Sequence, residues 1–310
     1  MARPPFVDLG ALVLGPGAVG EALARELARG GAAVELWARR PERAAAVAER
    51  LGAEPLAGAV RAAPDLAGAL AACGLVLVCV SDDAIAAVAE RAAGVRADAS
   101  GRVALHTNGF LGSEALAPLE RAGAATGVLH PLAPLPPRLG PVEEPAPLAG
   151  AWFAVSGMPE ARALARRVVA GLGGHELELA ASPDAQPRYH AAASLASGGM
   201  VALIDAALAP FAAAATDPDA AREALLDLVE RTLANLRARG TAGALTGPAA
   251  RGSAELLNAQ LAALAPYGAA GHDAAPLYRE LVDRMLLLAE ERGSISAEDR
   301  RRVASLLRRS

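Results

Sequence analysis

The chain contains no lysine. All thirty of its basic residues are arginine, which excludes chemistry that rests on a lysine acid, base or Schiff base. Aromatic residues make up 3% of the chain, too few for a platform on which nucleic-acid bases would stack. A net charge of -4 supplies no basic field for a phosphate backbone, so a nucleic-acid partner is not expected. Cysteine occurs twice, as Cys73 and Cys79, both beside apolar residues, which fits buried small hydrophobes in a reduced compartment. No histidine and cysteine stand at metal-ligand spacing, and no metal is expected. The first apolar stretch runs straight into a glycine turn without a charged leader, and the expected location is cytoplasmic. The least polar stretch, Ala191 to Ala215, is mostly alanine and is interrupted by Asp205 and Pro210. It reads as a buried helix rather than a membrane span.

At 310 residues, 53% hydrophobic and 21% charged, the chain can bury a large core and is long enough for two domains. From Ala11 to about Leu179, short β-like apolar runs alternate with alanine-rich amphipathic stretches, the mark of βαβ units and a parallel sheet. The expected strands are 11–14, 33–37, 75–80, 103–106, 126–129, 152–155 and 176–179. Helices are expected at 19–29, 41–51, 84–93 and 159–172. The proline-rich stretch from Pro131 to Pro147 reads as a long surface loop. After Ser182 the β-branched runs vanish and the pattern is helical, with breaks near Pro210, Asp217-Pro218, 240–248 and 266–271. The expected architecture is a Rossmann-type doubly wound parallel sheet over residues 1–182, followed by an all-helical domain over 183–310. Long apolar-faced helices of that kind commonly pair with a copy of themselves, so a homodimer is expected.

Gly15-Pro16-Gly17-Ala18-Val19-Gly20 follows a strand and opens a helix, the context in which a GxGxxG string binds a dinucleotide. The first glycine permits the tight turn, the second lets backbone approach the pyrophosphate, and the third lets helix and strand close up. Where NAD-preferring domains carry an acidic residue after the second strand, this chain has Arg39-Arg40. A guanidinium fork matches a phosphate, so the pair points to NADP, although two solvated arginines at a helix start remain the plain alternative. The third apolar strand ends in Val80-Ser81-Asp82, at the carboxyl edge where ligands of such sheets sit; Asp82 suits a helix cap equally well. Later strands end in His106-Thr107-Asn108-Gly109 and His130-Pro131, which puts Asn108 with the cofactor and two histidines on the nicotinamide side.

These stretches, together with YHAAASLAS at 189–197 and LTGPAARGS at 245–253, resemble the two-domain Rossmann-like proteins with a carboxyl-terminal domain of unknown function 2520. The resemblance spans nearly the whole chain. It implies kinship with pyrroline-5-carboxylate reductase, ketopantoate reductase and the 6-phosphogluconate dehydrogenase superfamily, hence a nicotinamide-dependent reductase that dimerises through helices. The chain departs from the family pattern at Gln186, where a lysine is expected, at Asn108, and at Gly198 after Ser197.

Hydride transfer needs one proton donor or acceptor from the protein, and histidine is the natural candidate when lysine is absent. His190, His106, His130, Tyr189 and Ser194 form the candidate catalytic set around an interdomain cleft, with His190 the first choice. His190, Ser194 and Ser197 share one helix face. Thr246 reads as a turn residue and Arg251 as a possible carboxylate clamp, so Ser197, Thr246 and Arg251 form the candidate substrate set. Two readings stay open: an NADP-dependent oxidoreductase of a small carbonyl, imine or acid, and a nucleotide-sensing or partner-binding protein without turnover. Gln186 and Gly198 favour the second and the retained histidines the first.

Overall fold

A computed structural model describes residues 4–95, 98–135, 148–180, 182, 184–267 and 274–307. The chain divides into two compact units, Met1–Leu195 and Ala196–Ser310. The sequence reading put this boundary at 182/183; the contacts place most of the helix carrying Tyr189 and His190 with the sheet.

The first unit is an eight-stranded sheet in the order β3-β2-β1-β4-β5-β6-β7-β8. Its strands are β1 (Gly10–Leu14), β2 (Ala33–Trp37), β3 (Val60–Ala62), β4 (Leu75–Val78), β5 (Val103–His106), β6 (Ala125–Leu132), β7 (Trp152–Gly157) and β8 (His175–Glu178). Its helices are α1 (Ala18–Arg29), α2 (Pro41–Gly52), α3 (Leu66–Ala72), α4 (Ile85–Val95), α5 (Ala117–Arg121), α6 (Pro159–Gly171) and α7 (Ala185–Ala196). Burial of β4 throughout and of β1 from Ala11 to Leu14, on both faces, explains why these strands read as unbroken apolar runs. One core cluster joins α1, α2 and α6 to one sheet face, while a second joins α3, α4 and α5 to the other. The order reverses at β1 and β4, which puts the switch point of the doubly wound sheet between their carboxyl ends.

Seven strands were legible in the sequence; β3, three residues long at the sheet edge, was not. All neighbouring strands run parallel except β6 and β7, which are antiparallel. Within the proline-rich stretch β6 continues through Pro131 to Leu132, so the expected loop starts later than the sequence suggested. Beyond Val128, β6 has a partner on one side only, which accommodates a residue lacking an N–H. The rest of the expected loop, 136–147, lies outside the described residues, as does His272.

The second unit is all-helical among the described residues: α8 (Gly198–Ala213), α9 (Pro218–Ala244), α10 (Gly247–Ala250), α11 (Ala254–Leu264), α12 (Ala274–Glu291) and α13 (Ala297–Leu307). Asp217 caps α9 by accepting from the Asp219 and Ala220 amides at 3.0 and 3.2 Å, with Pro218 in the first turn. The break at Gly240 has left-handed φ of 67° inside α9. Pro210 does not break its helix; it sits in the last turns of α8, where it removes one hydrogen bond. The core of this unit is formed by Leu257, Leu261, Val282, Leu286, Val303 and Leu307.

The expectation of a buried helix between 191 and 215 needs correction. Neither α7 nor α8 has a buried residue, and Leu195 and Val201 are 76% and 68% exposed. Small alanine side chains make the stretch apolar all round, so its periodicity could not reveal which face, if any, meets a core. The 29 residues Ala185–Ala213 are long and apolar enough, by length and composition alone, to cross a membrane.

Candidate active site

The carboxyl ends of β1, β2 and β4 surround a cleft of 470 Å3 lined by Gly15, Pro16 and Gly17, by Val80 and Ser81, and by Trp37 and four arginines. Gly15 has φ of +89°, which only glycine adopts freely, and its amide donates to the Trp37 carbonyl at 2.9 Å. A Cβ on Gly17 would meet nothing within 4 Å, whereas one on Gly20 would lie 2.5 Å from the Gly15 carbonyl oxygen. The second glycine therefore faces open space and the third lets α1 close onto the turn. Ala18, Val19 and Gly20 form the first turn of α1, whose amides have no intrahelical acceptor and whose cap residue, Gly17, has no side chain to supply one. Such a turn holds anionic oxygens well.

Arg39 and Arg40 line this cleft, and so do Arg43 from α2 and Arg91 from α4. The Arg91 guanidinium lies 5.2 Å over the Trp37 ring. Among the described residues none of the four makes an ion pair, although arginines elsewhere do, as in Arg25–Glu54 and Arg50–Glu21. No carboxylate lines the cleft. Four guanidiniums without an ion pair among the described residues line this one cavity, an arrangement suited to anions. Arg43 and Arg91 were invisible as site residues in the sequence, since only the packing of α2 and α4 brings them to the β2 end.

At the carboxyl ends of β5 and β6 stands a second group of side chains. His106 is fully buried. Its Nδ1 accepts from the Asn108 amide at 3.2 Å and its Nε2 lies 2.8 Å from the Gly112 carbonyl oxygen. A carbonyl only accepts, so the hydrogen is on Nε2 and neither nitrogen is left for a substrate. Burial pulls the ring's pKa down, against the Gly112 bond and the nearby Glu114 and Asp82. His106, a catalytic candidate by sequence, thus braces the loop after β5.

His130 Nδ1 lies 2.6 Å from the Tyr189 hydroxyl oxygen, and the two rings meet edge to face at 5.6 Å. Burial, with smaller contributions from His190 and His106, lowers the His130 pKa to about 4. Burial also pushes the Tyr189 phenol above its ordinary range, so both groups are neutral near pH 7. The His190 ring lies edge to face with His130 at 6.0 Å and with Phe110 at 6.2 Å, and makes no hydrogen bond among the described residues. Gly109 is what lets these rings converge: a Cβ there would lie 2.7 Å from His190 Cδ2 and 2.8 Å from His130 Cε1. Ser194, one turn beyond His190, is exposed.

Asn108 is nearly buried. Its Nδ2 donates to Asp82 Oδ1 at 2.5 Å, and its Oδ1 accepts from the Phe110 and Leu111 amides at 2.7 and 2.6 Å. Asp82 opens a short 3-10 turn and makes no side-chain cap. Ser197, Thr246 and Arg251 belong to the second unit, where all three are exposed. Ser197 and Thr246 precede α8 and α10 without capping them through a side chain, and Arg251 follows α10. Cys79, beside the cleft, has its thiol pushed up to about 12 by burial, which leaves it inert as a nucleophile. Among the described residues no three His, Cys, Asp or Glu side chains converge as metal ligands.

No curated protein matches the chain. Among solved structures, a protein of Bacteroides fragilis superposes with a TM-score of 0.67 at 20% identity, covering 91% of this chain and 99% of that one. An imine reductase from a Pseudomonas species gives 0.59 at 21% identity over 97% and 98% of the two chains. A reductive aminase from Aspergillus terreus, in complex with NADPH and ethyl levulinate, gives 0.62 at 20% over 97% and 99%. At such identities the likeness is one of fold. Residues 11–117 match the NAD-dependent glycerol-3-phosphate dehydrogenase N-terminus, and residues 151–285 match the domain of unknown function DUF2520. The two matches follow one another along the chain, the first running from β1 to the start of α5 and the second from just before β7 into α12.

Proposed function

We propose that this protein is an NADP(H)-dependent oxidoreductase that reduces a small carbonyl, imine or acid substrate. The observation that carries the reading is the cleft in which a GxGxxG turn meets four arginines that have no ion pair among the described residues, with no carboxylate in the lining. Gly17, facing open space, fits close approach of a pyrophosphate, and Arg39, Arg40 and Arg43 fit the additional phosphate of NADP. NADPH bound in the similarly folded Aspergillus terreus enzyme supports the same assignment.

Bound there, the nicotinamide would supply the hydride. The proton is the protein's task, and the chain's geometry favours the Tyr189–His130 pair over His190, the first choice from sequence. The His130 tautomer with hydrogen on Nδ1 donates to Tyr189 Oη, which leaves the phenolic proton free to be delivered to the substrate. The same Nδ1–H then stabilises the phenolate left behind. The His190 and Phe110 rings stand beside this pair. The direct test is consumption of NADPH, followed at 340 nm, against a panel of neutral ketones, cyclic imines and oxo acids. Turnover of any of them supports a reductase; binding of NADPH without turnover across the panel favours the nucleotide-sensing reading.

The pair also sets a pH dependence. The folded His130 ring holds its proton less tightly than the unfolded one, so its contribution to stability is complete above about pH 6.5 and is lost as pH falls towards 4. An NMR titration of the histidine ring protons, with His130→Asn used for assignment, is expected to give His130 a midpoint near 4. A midpoint near 6.5 would contradict the buried, neutral ring.

We further propose a homodimer through α7 and α8. Two successive helices have no buried residue and leave Leu195, Val201, Leu203 and Phe211 exposed, apolar surface of the kind that a partner covers. Light scattering is expected to give twice the 31.2 kDa chain mass; a monomer at micromolar concentration would remove the proposal.

A further inference from the structure

We propose that Asn108 and Gln186 are positioning residues that tie the nucleotide cleft to the Tyr189–His130 pair, an inference that rests on the nucleotide reading above. The connection is a set of hydrogen bonds joined by short stretches of backbone. Ser81 lines the cleft, and its neighbour Asp82 accepts from Asn108 Nδ2 at 2.5 Å. The other end of the same carboxamide gathers the Phe110 and Leu111 amides. The Leu111 carbonyl then accepts from Gln186 Nε2 at 2.5 Å. Gln186 lies in the first turn of α7, three residues before Tyr189 and hence on the same side of the helix, and Tyr189 reaches His130.

Each amide suits its place because it both donates and accepts or, at Gln186, because it donates without charge. Asn108, with its oxygen doubly used and one N–H given to Asp82, has little left with which to contact a cofactor directly. Its work is to hold the β5 loop, which His106 braces at its two ends through the Asn108 amide and the Gly112 carbonyl. A ligand that settles the turn at Ser81-Asp82 therefore settles the loop, and the loop settles the first turns of α7. Couplings between sites connected in this way commonly amount to about 5- to 150-fold.

Hydrogen–deuterium exchange of the full chain tests this without a known substrate. The ligands are NADPH and 2′-phospho-ADP-ribose, which lacks the nicotinamide ring and so cannot act on Tyr189 or His130 by touching them. In the unaltered protein either ligand is expected to slow exchange at residues 15–20 and, about tenfold, at 185–192. In Asn108→Ala and in Gln186→Glu, which replaces the donor with a carboxylate that cannot donate to the Leu111 carbonyl, protection at 15–20 persists while that at 185–192 falls below about twofold. Persistence at 15–20 also shows that the variant sites are folded. Equal protection at 185–192 in the variants, or none there in the unaltered protein while 15–20 is protected, overturns the coupling. Absence of protection at 15–20 in the unaltered protein overturns the nucleotide reading itself.

Discussion

Tyr189→Phe is expected to lower turnover by about 100- to 10,000-fold, the usual worth of a positioned general acid, while leaving NADPH affinity within about twofold. The substitution removes one oxygen and keeps the ring that packs edge to face on His130, so a loss of this size reports the proton rather than the packing. Burial keeps the phenol protonated and by itself makes it a weaker acid, so the donor depends on the His130 Nδ1–H to stabilise the phenolate it leaves behind. Its partner stays neutral for the same reason, with a midpoint near 4. A loss below about tenfold would move the assignment to His190, whose ring stands beside the same pair.

The second large effect concerns the cofactor's extra phosphate. The double variant Arg39→Ala, Arg43→Ala is expected to weaken NADPH binding about 100-fold, or ~2.7 kcal/mol, while NADH binding changes little. Both guanidiniums line the cleft without a carboxylate partner among the described residues, so the protein has no internal ion pair to break and the loss falls on the ligand. Titration calorimetry reads it directly. Equal weakening for both nucleotides would mean that the arginines supply only general attraction to the pyrophosphate.

Much of this architecture was legible because local signals agreed with the fold. The glycine turn follows a strand that is buried on both faces and therefore reads as a continuous apolar run. The strand end at His106 followed from the same βαβ rhythm, whereas β4 stops at Val78, two residues before Val80, and β6 runs on two residues past His130. What the sequence could not convey was how polar side chains divide their work after folding. His106 looked equivalent to His130, yet one has both nitrogens engaged by backbone and the other faces a phenol. Arg43 and Arg91 lie outside the recognised motif, and only helix packing brings them to the cleft. Gln186 stood out as a departure from a family pattern; its bond to the Leu111 carbonyl, 75 residues away, needed coordinates. The misread burial of α7 and α8 has the same origin, since an alanine-rich helix is apolar on every face and its sequence names no preferred side.

Calorimetric titration of the unaltered protein with NADPH and with NADH tests the central claim most directly. The account predicts binding of NADPH at least tenfold tighter than NADH, a difference of about 1.4 kcal/mol or more. Equal affinities, or no binding of either nucleotide at millimolar concentration, would contradict it.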